Sequence, residues 1–327
     1  MQKTQNLLVT GGAGFIGSSF VAQQAKLGNK VIILDKLTYA GKKENINWIN
    51  GDYELVVAGI NEQKLVEELL FTHKIDKLVH FAAESHVDNS IENPAEFIKT
   101  NINGTFSLLA ASLKYFKENN KFHFHHISTD EVFGDLPLND VSKFSELTAY
   151  NPSSPYSSSK AASDHLVRSY FRTYNLPITI SNCSNNYGER QHEEKLIPTI
   201  IRKAVNGLDI PIYGDGNNVR DWIHVDDHNR AVHLILNQGK IGETYCIGGN
   251  CELNNNEVVN IICEILDKNY PKKDGLSYKK QITYVTDRKG HDLRYAINSN
   301  KIEQELGFEL QINFRQGILR LIKDILA

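Results

Sequence analysis

The chain has 327 residues, 41% of them hydrophobic and 23% charged, enough to bury a substantial core in one large or two modest domains. A formal net charge of −3 supplies no field that would steer it to nucleic acid or a membrane surface. The four cysteines, Cys183, Cys246, Cys251 and Cys263, lack metal-type spacing and read as small buried hydrophobes in a reducing compartment. With no leader-like start and no apolar run of bilayer length, the expectation is a soluble, cytoplasmic protein.

Leu7 to Thr10 reads as a buried first strand. Gly11, Gly14 and Gly17 follow at three-residue spacing, and Gly12, Gly14 and Gly17 also fit G-x-G-x-x-G. Residues without a Cβ let a backbone turn approach a pyrophosphate at a helix N-terminus. A second apolar run, Lys30 to Leu34, ends in Asp35, roughly 20 residues beyond the glycines, where a carboxylate accepts from both ribose hydroxyls and repels a 2′-phosphate. NAD is therefore expected rather than NADP. The bland alternative is a glycine-rich turn with an unrelated surface aspartate; the order strand, glycines, helix, acid argues against it.

Further candidate strands are Glu54–Ala58, Lys77–Phe81, Phe122–Ser128 and Ile178–Asn182, separated by helical patterns near Glu62–Phe71, Ala95–Lys117 and Pro155–Tyr174. This alternation predicts a parallel sheet covered by helices. His123 and His125 share one face of their strand, but no acid or cysteine is spaced to complete a metal site, so all three histidines there read as strand and no metal is expected. Thr129-Asp130-Glu131 follows the strand end, and taken alone the acidic pair reads as solvated surface. The polar, proline-bearing loop Leu136–Asn151 comes next, a suitable lid or site loop. Tyr156 and Lys160 then stand one helical turn apart on one face, where an ammonium can lower a phenol's pKa and make it a base for a sugar hydroxyl. The glycine turn at the other end of the chain raises this pair above an ordinary surface i,i+4 contact, and the pair, lying downstream of Asp130 and Glu131, in turn lifts those acids above the surface reading.

After about Tyr187 short segments alternate with Gly/Asn/Asp loops such as Gly214 to Asn218. The predicted architecture is α/β: a Rossmann-type doubly wound parallel sheet with a smaller, mixed C-terminal substrate-binding domain. The expected NAD-binding unit is 1–187 plus about 221–247, and the nucleotide-sugar unit 188–220 and 248–327. A substrate would sit between them, beyond the carboxyl ends of the strands.

Together these segments resemble the extended short-chain dehydrogenase/reductase family almost from end to end, and within it the nucleotide-sugar 4,6-dehydratases. The markers are Thr10 to Gly17, His80 to Asp88, Ser128 to Val132, Tyr156 to Lys160, Asn182 to Gly188, Lys195 to Pro198, Arg220 to Trp222 and Gly290 to Tyr295. Thr-Asp-Glu is the specific part, because related epimerases tend to carry Ser-Ser or Ser-Thr and then apolar residues. The resemblance implies a tightly held NAD, dTDP-glucose as substrate, and a homodimer packed through the helices near 95–117 and 155–174. It implies catalysis by Tyr156, Lys160, Thr129, Asp130 and Glu131. It places Gly11, Gly14, Phe15, Ile16, Gly17, Asp35, Ile60, Ala82, Ala83, Thr100 and Cys183, with Tyr156 and Lys160, at the cofactor. The nucleotide sugar falls to Ser85, Asn185, Lys195, Leu196, Pro211, Tyr213, Arg220, Asn255, Arg288 and His291, the two arginines suiting a diphosphate.

The chain departs from the family pattern at Gly59, where an aspartate usually contacts adenine, at Glu189 and Lys289, where proline is common, and over Gln191-His192-Glu193, usually more aromatic. Three alternatives remain: an epimerase or decarboxylase of the same superfamily, a dehydratase of another nucleotide sugar, and an NAD-binding protein without catalysis. The first needs no acid pair after Thr129, and the last needs no intact Tyr156, Lys160, Asp130 and Glu131.

Overall fold

Alternating side chains of the first two apolar runs go to opposite faces of one sheet. Leu7, Val9, Val31 and Ile33 pack into a core with Phe20, Val21, Val232 and Ile235. Leu8, Ile32 and Leu34 pack into another with Leu70, Leu108, Phe124 and Val167. A strand apolar on both faces must be covered on both, and that forces helices onto each side. The structure, a computed structural model, describes residues 4–287 and 290–327. Arg288 therefore lies outside the described residues.

In chain order the strands are β1 Asn6–Thr10, β2 Lys30–Asp35, β3 Tyr53–Val57, β4 Lys77–His80, β5 His123–Thr129, β6 Ile178–Cys183, β7 Asn185–Tyr187, β8 Ile210–Tyr213, β9 Val219–His224, β10 Thr244–Ile247, β11 Glu252–Asn254 and β12 Ile282–Val285. Seven of them form one sheet in the order β10-β6-β5-β4-β1-β2-β3, with every neighbouring pair parallel. The winding reverses between β1 and β4, which opens a crevice at their carboxyl ends, the ligand position in doubly wound folds. Smaller sheets β11-β9-β7 and β12-β8 share a separate core that includes Trp222, Ile262 and Ile318. Among the described residues no helix is long and apolar enough to cross a membrane.

The predicted helix over Ala95–Lys117 is three pieces: Pro94–Phe97, a π-helical turn Ile98–Gly104, and Thr105–Phe116. Asn101 accounts for the irregularity. Its side-chain amide bonds both backbone groups of Glu84 (2.9 and 3.0 Å) and donates to Ser159 Oγ at 2.8 Å. The widened turn aims this side chain inward, a common reason for π-bulges beside functional sites. His123 and His125 each lie 2.8 Å from the Thr179 hydroxyl, and burial holds both well on the neutral side.

Candidate active site

One cleft above the carboxyl ends of β1, β2, β4 and β5 is lined by the glycine turn, Asp35, Ala82, Ala83, the Thr129–Glu131 segment, Tyr156 and Lys160. At its cofactor end Gly11 takes φ +70°, and a Cβ there would stand 2.6 Å from the Ala82 nitrogen. A Cβ on Gly17 would stand 2.2 Å from the Gly11 oxygen. The turn is thus as tight as backbone allows, and it delivers the helix Phe15–Lys26 with Gly14 as an N-cap that has no side-chain cap. Asp35 accepts from the amides of Ala13 (3.0 Å) and Leu37 (2.9 Å), so the carboxylate is fixed to the glycine turn; burial still pushes its pKa up. An uncapped helix start beside a fixed carboxylate fits a dinucleotide, with pyrophosphate at the turn and ribose at Asp35. Phe15, Ile16, Ile60, Thr100 and Cys183 line the same cleft. The Gly59 amide donates to Glu62 Oε1 at 3.0 Å, and a Cβ there would meet nothing closer than that oxygen, 3.8 Å away. The side-chain contact usual at this position is therefore missing, with room left where it would stand.

At the catalytic end Thr129 closes β5, and Asp130–Phe133 forms a single 3-10 turn. Thr129 Oγ1 accepts from the Glu131 amide (3.3 Å) and donates to Asp130 Oδ1 (3.4 Å). Asp130 is 2% exposed, and its Oδ2 is buried without a partner. Burial, then Glu131 and Asp221, hold its carboxyl well above the ordinary range. The shift favours the proton-bearing form, the form a general acid needs.

The helix Pro155–Tyr174 starts sharply because Ser154 and Ser157 form a capping box and Pro155 takes the first position. That start sets Tyr156 and Lys160 on the face turned to β5. Tyr156 meets Phe97 edge-on at 6.3 Å. Burial, then Glu131, Cys183 and Asp130, push its phenol well above the ordinary value, while Thr129 beside it acts the other way. Lys160 Nζ donates to the Ile127 carbonyl at 2.8 Å and lies 3.4 Å from His126 Nε2. Burial lowers its pKa to about 8 against the pull of Asp164 and Cys183. The expected Lys160-to-phenol coupling is thus not what sets the phenol here, because the ammonium is drawn to the strand carbonyl.

Asp164, one turn beyond Lys160, has no signal of its own in the sequence except that spacing. It is fully buried and accepts from Ser128 Oγ (2.8 Å), Tyr150 Oη (2.7 Å) and Asn182 Nδ2 (3.3 Å). Its other oxygen stands 3.2 Å from His126 Nε2. Burial alone would raise its pKa, but His126, Lys160 and Tyr150 outweigh it and keep the carboxylate ionised. Asp164 thereby ties β5, β6 and the loop before the helix to the helix that carries Tyr156.

Of the residues expected at the sugar nucleotide, Ser85, Asn185 and Lys195 line the cleft. Leu196 opens the helix Leu196–Val205 next to them. Arg220 is buried on β9, donates to the Asp292 carbonyl at 3.0 Å and stacks 4.2 Å from the Tyr295 ring. Its charge acts on Asp130. Pro211 and the exposed Tyr213 lie on β8, and Asn255 begins the helix Asn255–Asn269. His291 bonds Asp287 at 2.7 Å. These stand outside the lining of the cleft. Its mouth is crossed by the atypical segment after Gly188: Arg190 stacks 3.9 Å over Trp48, and His192 meets Tyr39 at 5.6 Å.

A glycine turn, a ribose-directed acid and a Thr-Asp-Glu segment facing Tyr156 define an NAD-dependent enzyme of nucleotide sugars. The GDP-mannose 4,6-dehydratase family model matches residues 8–321. The dTDP-glucose 4,6-dehydratase of Xanthomonas campestris pv. campestris strain B100 is 51% identical over 95% of this chain and 90% of its own. That of Salmonella typhimurium is 49% identical over 98% and 92%. The dTDP-glucose 4,6-dehydratase of Streptomyces venezuelae, solved with NAD and dTDP bound, superposes with a TM-score of 0.88 at 42% identity, covering 97% of this chain and 96% of that one. A Thermotoga maritima UDP-glucose 4-epimerase shares the fold at TM-score 0.88 but only 29% identity, over 98% of both chains. The chain belongs to the GDP-mannose 4,6-dehydratase family and, within it, to the dTDP-glucose 4,6-dehydratases.

Proposed function

We propose that this protein converts dTDP-glucose to dTDP-4-keto-6-deoxyglucose and water. The observation that carries the reading is the buried Asp130 beside Glu131 and Tyr156 in one cleft with the glycine turn. An epimerase has no use for that acid. The C5 hydrogen of a hexose is not acidic until C4 is a ketone, so redox chemistry must precede water loss. The glycine turn and Asp35 would hold NAD, which when bound would supply the hydride exchange that oxidises C4 and reduces C6.

Tyr156 takes the proton of the 4-hydroxyl, and Thr129 hydrogen-bonds the same oxygen. Lys160 is assigned to the cofactor ribose. Glu131 removes the C5 proton while Asp130 protonates the departing 6-hydroxyl; Glu131 later returns the proton to C5. Two carboxyls with opposite jobs need different environments, and burial of Asp130 supplies that difference. Ser85, Asn185, Lys195 and Arg220 are assigned to the sugar and its diphosphate. Two copies pair through the helices near 95–117 and 155–174, a reading supported by Ile98 and Phe106, about half exposed at 51% and 50%. The test is incubation of purified protein with dTDP-glucose and no added NAD. Loss of one water in mass supports the proposal. A galactose epimer, or unchanged sugar, overturns it.

A further inference from the structure

Five buried polar atoms on residues lining the cleft have no hydrogen-bond partner among the described residues: Asp130 Oδ2, Ser184 Oγ, Asn185 Oδ1, Asn186 Oδ1 and Gln191 Oε1. Buried polar atoms are seldom left so, and a group of them around one cleft marks where a ligand supplies donors. Asp130 and Asn185 already have roles; Asn186 and Gln191 have none. The two carboxamides share a feature. Gln191 Nε2 donates to the Asn186 carbonyl at 2.9 Å, and Asn186 Nδ2 donates to the Ser184 carbonyl at 3.1 Å. With its donor side engaged by the backbone, each side chain has its oxygen left to offer. Asn186 Nδ2 also lies 3.5 Å from Cys183 Sγ, which ties that residue to the cofactor end and leaves Gln191 on the substrate side.

We propose that Gln191 Oε1 accepts a hydrogen bond from the C2 hydroxyl of the hexose and so selects the substrate at that carbon. The contact rests on the dehydratase reading, which fixes the other positions of the sugar. The C4 hydroxyl goes to Tyr156 and Thr129, the C5–C6 edge to Asp130 and Glu131, and the diphosphate on C1 to Lys195 and Arg220. C2 adjoins C1. Gln191 stands four positions before Lys195 and bonds the backbone of the residue next to Asn185. A hydroxyl at C2 is equatorial in the gluco configuration and axial in the manno configuration, so an acceptor fixed beside it distinguishes the two.

The acceptor is fixed before any ligand arrives. The Gln191 amide donates to the Gly188 carbonyl at 3.3 Å, and the Lys195 amide to the His192 carbonyl at 3.1 Å. Arg190 takes φ +66°, a left-handed backbone for a residue with a Cβ. Its stack over Trp48 and the bond from its amide to Asp324 Oδ2 at 3.3 Å hold it there. Glu189 lies 3.4 Å from His224 Nε2 on the other side of the turn. A side chain carried on so constrained a backbone gives up little freedom when it binds. A trapped water would satisfy Gln191 Oε1 equally well. The two cases differ in whether the 2-hydroxyl of the sugar matters.

The experiment compares kcat/KM for dTDP-glucose, dTDP-2-deoxyglucose and dTDP-3-deoxyglucose in wild-type holoenzyme and in Gln191→Leu. Wild type should prefer dTDP-glucose to the 2-deoxy sugar by about tenfold or more, because the analogue leaves a buried oxygen unpaired. Gln191→Leu should lose about tenfold or more on dTDP-glucose but about twofold or less on the 2-deoxy sugar. Three results overturn the contact: wild type that turns over both sugars equally well, a variant that slows both by the same factor, or a variant that relieves only the penalty against the 3-deoxy sugar. The second would leave Gln191 a prop of its loop. Should Gln191→Leu fail to fold, wild type decides: the preference for dTDP-glucose over the 2-deoxy sugar sustains the contact and its absence overturns it. Wild-type protein that makes no product from dTDP-glucose sinks the dehydratase reading instead. Dissociation constants of the same sugars, from titration calorimetry, then judge the contact by the same ratios.

Discussion

Replacing Lys160 by Met should make the protein more stable and nearly inactive. Lys160 is 4% exposed, and burial lowers its pKa from 10.5 to about 8. At about 1.4 kcal/mol per pH unit, holding that ammonium costs the folded state about 3 kcal/mol at pH 7. Met fills the same volume without charge but gives up the bond to the Ile127 carbonyl, a loss of about 1–2 kcal/mol. The balance is a gain of about 1–2 kcal/mol, read from urea titration of the cofactor-free protein. Its pH dependence has a definite sign. The folded pKa lies below the unfolded one, so the penalty is complete below pH 8 and fades between about 8 and 10.5, where folded wild type sheds a proton that the unfolded chain still holds. The advantage of Lys160→Met should shrink over that window. Product formation should fall by about 10²-fold or more, the range for a group that supports proton transfer. A variant less stable than wild type at pH 7, or a stability difference flat from pH 8 to 10.5, would refute the reasoning.

Three other outcomes are expected. Glu131→Gln should reduce its bound cofactor on mixing with dTDP-glucose and stall before water loss, seen by stopped-flow absorbance; dehydration at the wild-type rate would unseat Glu131 as the C5 base. Asp130→Asn should lose the elimination by about 10²-fold or more. Relative to wild type it should also gain stability as pH rises, since a carboxyl whose folded pKa is raised begins to cost stability once pH passes its unfolded value of 3.8 and costs it in full above the folded value; thermal melts at pH 4 and pH 8 check the direction. Gly11→Ala puts a Cβ 2.6 Å from the Ala82 nitrogen at φ +70°. It should therefore purify with little or no NAD, measured as released nucleotide per chain.

The sheet and the glycine turn were legible because their constraints are local. Leu7 to Thr10 and Lys30 to Leu34 are apolar on both faces, and only residues without a Cβ can occupy positions 11 and 17. Placing Thr129-Asp130-Glu131 at a strand end needed nothing beyond the strand reading of Phe122–Ser128 before it. Other features were settled by contacts distant in sequence. The π-helical turn exists because Asn101 bonds Glu84 and Ser159, and helical periodicity over 95–117 carries no trace of that. The direction of Lys160 depends on the Ile127 carbonyl, which competes for the ammonium only once the helix has docked on β5. Asp164 has spacing in its favour, but its partners come from residues 126, 128, 150 and 182.

The central claim is that hydride taken from C4 is given back to C6 of the same sugar, so that a redox-neutral dehydration becomes possible. Turnover of dTDP-glucose carrying deuterium at C4, with no added cofactor, tests it most directly. The account predicts a product one water lighter that keeps the deuterium, now in the C6 methyl group. Product with the label washed out into solvent, or still on C4, would contradict it.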